Sequence, residues 1–134
     1  PEALGRMPLK AFRGRTDYML IYASEEEILE IRPDFSRLMA LGGRGVIVTS
    51  LGRQTDIVSR FFAPGAGIDE DPVTGSAHTT LVPYWSGVLG KKRLTARQLS
   101  GRGGELVCES KGERILITGR AVTYLVGEIQ WSEA

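Results

Sequence analysis

Residues 61–90 read FFAPGAGIDEDPVTGSAHTTLVPYWSGVLG, a turn-rich loop that runs straight into an apolar segment of helical length. After Ser76, the residues Ala77, Leu81, Val82, Tyr84, Trp85, Val88 and Leu89 occupy every side of a helical wheel. That is the pattern of a helix enclosed by other structure. The loop delivers Asp71, Thr74, Gly75 and Ser76 to the helix N-terminus, where unpaired N–H groups and the positive end of the dipole favour an anion. The same residues also suit a plain helix opening, with Asp71 as N-cap and Pro72 at the first helical position. Pro83 removes one hydrogen bond and predicts a bend, and Gly90 marks the end.

Toward the N-terminus, Ile57 to Phe62 and the β-branched Gly45 to Leu51 read as strands joined by a turn at Gly52 to Asp56. Arg60 sits inside the first of these, placed either to face a ligand pocket or to reach water from an edge. Asp34 predicts a cap for a helix over Phe35 to Leu41, ended by Gly42 and Gly43. Ser24 and Glu27 form a capping-box pattern for a helix from Glu25 to Ile31, stopped by Pro33. Asp17 to Ala23 is an apolar run of strand length, and residues 1–15 have no clear period and read as a lead-in.

Beyond Gly90 the pattern turns to β. Leu94 to Leu99, Glu105 to Ser110, Arg114 to Thr118 and Ala121 to Trp131 read as strands, with hairpin signals at Lys111-Gly112-Glu113 and Gly119-Arg120. The fold class expected is α+β: a curved, mostly antiparallel sheet wrapped around one central buried helix.

The chain has 134 residues, 42% of them hydrophobic, enough for one core and not for two. A single domain over 1–134 is expected. Its 17 basic and 16 acidic residues are intermixed, which gives no footprint for nucleic acid. No apolar run is long enough for a membrane span and no leader is recognisable, so a cytoplasmic location is expected. The single Cys108 excludes an internal disulfide and a multi-cysteine zinc site, and its strand position predicts a packed apolar side chain. Thr74-Gly75-Ser76 lacks the glycine run and lysine of a phosphate-binding loop. Ser76 and His78 point in different directions on one helical turn, so they do not read as a nucleophile and its base. Asp69, Glu70 and Asp71 make a carboxylate cluster of the kind that favours a general acid or base, although most acidic turns are simply solvated.

Three separated blocks, Arg60 to Gly65, Glu70 to Ala77 and Gln98 to Gly104, occur in an order that resembles the C-terminal half of the PhzF family of isomerases, the phenazine-biosynthesis-like proteins. The resemblance spans about Asp17 to Glu128. It implies one lobe of the diaminopimelate-epimerase-like fold, in which two similar halves each wrap strands around a helix and the active site lies between them. It implies acid/base proton transfer on a small carboxylated substrate, with no metal and no organic cofactor. Carried over residue by residue, Asp71 resembles the catalytic aspartate of the cleft, and Gly75 and Ser76, with Thr74, resemble the groups that hold the substrate. His78 and Arg60 are further possible site residues without an assigned task.

The family takes its principal acid/base glutamate from an N-terminal half, and no stretch here resembles that half. The chain therefore reads as a C-terminal lobe, inactive without the N-terminal one. Its expected partners are that lobe or a second copy in a homodimer. The alternative reading is a stand-alone module that binds a small anion or dimerises without catalysis.

Overall fold

The computed structural model describes residues 2–131. Eight strands form one curved sheet. In chain order these are β1 (Lys10–Arg13), β2 (Asp17–Ile21), β3 (Gly45–Leu51), β4 (Ile57–Ala63), β5 (Ile68–Glu70), β6 (Arg93–Gln98), β7 (Gly104–Lys111) and β8 (Arg114–Thr118). The spatial order is β1-β2-β3-β4-β6-β7-β8, with β5 paired to β4 beside this path. Neighbours are antiparallel except β2 with β3 and β4 with β6, which are parallel. The helices α1 (Glu25–Glu30) and α2 (Phe35–Ala40) lie in the first parallel crossover, and α3 (Gly75–Leu89) lies in the second.

This topology decides which face each helix covers. Both crossovers step the same way along the sheet, but β3 and β4 are antiparallel, so the two parallel pairs run in opposite directions. A crossover of one hand then lands on opposite faces, and parallel connections are almost always right-handed. The core divides accordingly. Met19, Ile47, Phe61, Leu94 and Cys108 pack with Leu81, Val82 and Trp85 of α3. Val46, Val48 and Phe62 pack on the other face with Ile28, Ile31 and Leu38. Strand alternation separates the two sets residue by residue, as Ile47 lies between Val46 and Val48.

The local rules account for the first two helices. Ser24 accepts from the Glu27 N–H at 3.3 Å, and Glu27 reaches back to the Ala23 N–H at 3.0 Å. Asp34 caps α2 by accepting from the Arg37 N–H at 3.0 Å. Gly42 and Gly43 then take φ of 70° and 87°, which only glycine adopts freely.

Four expectations are corrected. The N-cap of α3 is Thr74, not Asp71, because the loop is held extended up to Thr74 by tertiary bonds described below. The helix is not enclosed all round: Ala77, His78, Leu81, Val82 and Trp85 are buried, whereas Ser76, Thr79, Thr80, Pro83, Gly87 and Val88 are exposed. Residues 119–131 form no strand: β8 ends the sheet, paired to β7 alone among the described residues. Gly119-Arg120 therefore makes no hairpin. Finally, β1 and β5 were hidden from sequence: every residue of β1 is exposed and β5 has only three residues, so neither carries a hydrophobic alternation.

Candidate functional site

Gln98 organises the loop that enters α3. It is the last residue of β6, where Leu94 and Ala96 alternate toward the α3 face and Gln98 occupies the next inward position. Its side chain is fully buried. Its Oε1 accepts from the Thr74 N–H at 2.8 Å, and its Nε2 donates to the Asp71 carbonyl at 2.7 Å and to Thr74 Oγ1 at 3.0 Å. The two backbone partners define the amide orientation, since an N–H requires the oxygen and a carbonyl requires the nitrogen. Thr74 Oγ1, already accepting from Gln98, turns its own proton to Asp71 Oδ2 at 2.5 Å.

The following residues brace the same loop. Ser100 donates to the Pro72 carbonyl at 2.7 Å and accepts from the Gly103 N–H at 3.0 Å. Gly104 faces Val73 so closely that a Cβ there would lie 2.2 Å from Val73 Cγ2. Asp71 itself donates its N–H to the Phe61 carbonyl at 3.0 Å. The extended conformation through Thr74, with φ −113° and ψ 100°, follows from these contacts, and α3 begins immediately after it.

Because the Thr74 hydroxyl is spent on Asp71, no side chain caps α3. Gly75 and Ser76 are exposed, and nothing lies within 4 Å of where a Gly75 Cβ would be. A 15-residue helix thus opens to solvent with free first-turn N–H groups beside a half-buried carboxylate.

His78 is fully buried one turn into the helix, with Nδ1 2.8 Å from the Thr74 carbonyl. A carbonyl only accepts, so Nδ1 carries the proton and Nε2 is left as a buried acceptor with no partner among the described residues. Burial pushes the His78 pKa below its ordinary value, against a smaller opposing effect of the Thr74 hydrogen bond. The ring is neutral near neutral pH and serves as packing and loop support.

Arg60 is not at this mouth. Its Nε and Nη2 bond both oxygens of Glu70 at 2.7 and 3.0 Å, and its Nη1 donates to the carbonyls of Ile28 and Ile31 at 3.1 and 3.0 Å. The guanidinium also lies over Phe62, 4.8 Å from the ring centroid. Strand alternation puts it on the α1 and α2 face, opposite α3, so it neither reaches water at an edge nor points into a ligand pocket. The carboxylate cluster separates in the same way: Glu70 goes to Arg60, and Asp71 to Thr74.

A hollow of about 860 Å³ lies beside β6 and β7, lined in part by Arg97, Arg102, Glu105 and Arg120. It touches Val73 but includes none of Asp71, Thr74, Gly75 or Ser76. No helix among the described residues is long and apolar enough to cross a membrane.

Residues 3–127 match the family model described as phenazine biosynthesis-like protein, PhzC-PhzF. The chain belongs to this family. Within the PhzF family, an isomerase of Pseudomonas aeruginosa described as uncharacterized is 54% identical over 98% of this chain and 50% of its own length. A second from the same organism is 46% identical over 96% and 49%. The crystal structure of a PhzF family protein from Enterococcus faecalis superposes with a TM-score of 0.83 at 49% identity, covering 87% of this chain and 45% of that one. That of a putative phenazine biosynthesis PhzC/PhzF protein from Clostridium difficile superposes with a TM-score of 0.86 at 42% identity, covering 94% and 49%. The chain spans about half the length of the curated PhzF-like relatives it matches.

Sequence reasoning named the residues at the mouth of α3 but missed Gln98 as the residue that holds them. The available signal was an amide at an inward position of an alternating strand, within one of the blocks that carry the resemblance.

Proposed function

We propose that this PhzF-like isomerase domain supplies one side of an interlobe active site that moves a proton within a small carboxylated substrate. The N–H groups of Gly75 and Ser76 hold the substrate carboxylate at the helix mouth, and Asp71 gives and takes the proton. The acid/base partner comes from the other lobe, as the family resemblance implies, and no metal or organic cofactor takes part. The observation that carries this reading is the uncapped, exposed N-terminus of α3 beside the Asp71 carboxylate. Fixed N–H donors stabilise both a bound carboxylate and the charge that develops beside it when a proton leaves.

Two experiments test it. Titrating the ¹⁵N-labelled chain with benzoate shifts the Gly75 and Ser76 amides ahead of the others; no response at those amides refutes the anion site. In a two-lobed isomerase carrying this domain, Asp71→Asn lowers kcat by about 10²- to 10⁴-fold, the range for a positioned acid or base, with little loss of stability. Full turnover in that variant removes Asp71 from the mechanism.

A second reading, a binding or pairing module, draws on a different observation. Val122, Tyr124, Val126 and Ile129 are between 86% and 99% exposed, an apolar run that isolated soluble surfaces rarely present. On this reading two copies pair through the run, and sedimentation gives a dimer in the micromolar range. A monomer throughout that range rejects it.

A further inference from the structure

We infer that Gln98 is a positioning residue for proton transfer: it aims Asp71 by orienting the Thr74 hydroxyl at one carboxylate oxygen. The inference rests on the proposed role of Asp71 and extends it to a side chain that touches no substrate.

The geometry leaves the network one consistent proton arrangement. The Thr74 N–H and the Asp71 carbonyl, one donor and one acceptor at opposite ends of the loop, lie at the two ends of the Gln98 amide. Nε2 therefore faces Thr74 Oγ1 with its second hydrogen. The hydroxyl's own proton is left for Asp71 Oδ2. A freely rotating hydroxyl becomes a directed donor, and a rotatable carboxylate acquires a fixed oxygen. Every member of the chain is partnered, and the amide that begins it is fully buried. A satisfied buried polar network specifies one arrangement, because each alternative strands a buried donor or acceptor. Gln98 is also opposite Gly104 in the β6-β7 ladder, so the amide is anchored in the sheet and not in the loop it orders.

Such an arrangement matters to proton transfer because rate falls steeply with misplacement, on the order of 10²-fold for about 1 Å. Gln98→Leu removes the relay and preserves approximate volume. Thr74→Val removes only the hydroxyl, and Thr74→Ser restores it. The primary readout is the ¹³Cγ resonance of Asp71 in the labelled chain, with its isotope shift between H₂O and D₂O transmitted from the Thr74 hydroxyl. The inference expects this isotope shift in the wild type and in Thr74→Ser, and its loss in Thr74→Val and Gln98→Leu. In a two-lobed isomerase, Gln98→Leu and Thr74→Val then lower kcat by about tenfold or more with KM little changed, and Thr74→Ser recovers most of it.

An unchanged Asp71 isotope shift in Gln98→Leu overturns the inference, as does full kcat in that variant. Should Gln98→Leu fail to fold, the wild type decides: slow exchange of both Gln98 Nε2 protons and a coupling across the hydrogen bond to the Asp71 carbonyl uphold the inference, and rapid exchange of both overturns it. The Asp71 resonance is independent of ligand. A chain that ignores benzoate but shows the expected isotope pattern therefore refutes the anion site while upholding Gln98 as the residue that orients Asp71.

Discussion

Gly104→Ala is a one-carbon perturbation whose cost is set by the loop before α3. Gly104 needs no special backbone conformation, since it is absent from the positive-φ glycines. In a strand free of neighbours, alanine would gain about 0.5–1 kcal/mol over glycine. Here the added Cβ meets Val73 Cγ2 at 2.2 Å, Cγ1 at 3.3 Å and Cβ at 3.4 Å. Val73 cannot swing far, because its side chain is β-branched and its neighbours Asp71 and Thr74 are tied to Gln98. The overpacking cost of about 1–3 kcal/mol therefore outweighs the propensity gain. The net loss is about 0.5–2 kcal/mol, and with a urea dependence of about 2 kcal/mol/M the midpoint falls by about 0.25–1 M.

The double variant Gly104→Ala with Val73→Ala identifies the cause, since it removes both close methyls and leaves the Val73 Cβ at an ordinary distance. Its loss is smaller than the sum of the two single losses by about 1 kcal/mol or more, the coupling expected of residues in direct contact. Urea unfolding of the four proteins measures this cycle. Gly104→Ala as stable as the wild type, or a coupling near zero, refutes the view that β7 braces the loop through Val73.

Arg60→Met strands Glu70 and two helix carbonyls in a site where the arginine side chain is 12% exposed, and stability drops by about 3–5 kcal/mol in urea unfolding; a loss below 1 kcal/mol contradicts the clamp. Arg60→Lys restores little, because an ammonium cannot reproduce the two-pronged bond to Glu70. For His78 the folded pKa is lowered, so the unfolded chain binds more protons as pH falls below the unfolded value of about 6.5. Stability is full above that pH and declines below it until the folded pKa is passed. His78→Gln lacks this component, and an unchanged wild-type-minus-variant stability difference across that window rules out a histidine buried neutral. Cys108 is fully buried and burial pushes its thiol up to about 11, so a disulfide thiol reagent at neutral pH reacts only after denaturant is added; rapid reaction of the native chain contradicts its packing.

Most elements were legible because their signals are local. Ser24, Asp34 and the paired glycines after α2 act within one turn of the helices they bound. The β-branched run of β3 signals a strand, and the alternation of Ile115 and Ile117 in β8 shows which residues face inward. The same logic marked the mouth of α3 through Thr74, Gly75 and Ser76. It failed where an element owes its existence to distant partners. β1 is exposed throughout and exists because it pairs along the edge of β2, whereas the strand-like 121–131 remains unpaired although β8 leaves an edge open beside it. The helical wheel of α3 shows apolar residues on every side, yet the sheet covers only one of its faces.

The α+β class, most element boundaries and the family to which the chain belongs were readable before any packing was known, because they follow from periodicity, caps and short ordered blocks. What the polar residues do depends on the packed sheet. Arg60 and Asp71 are 11 positions apart and look equally available, but strand alternation sends Arg60 to the α1 and α2 face, where Glu70 and two carbonyls consume its donors. Gln98 looks like any strand amide until the β6 register sets it against the loop 24 residues upstream at Thr74. A hydrogen bond is made or lost over less than an ångström, and that precision comes from the packing of the whole sheet and not from any stretch of chain alone.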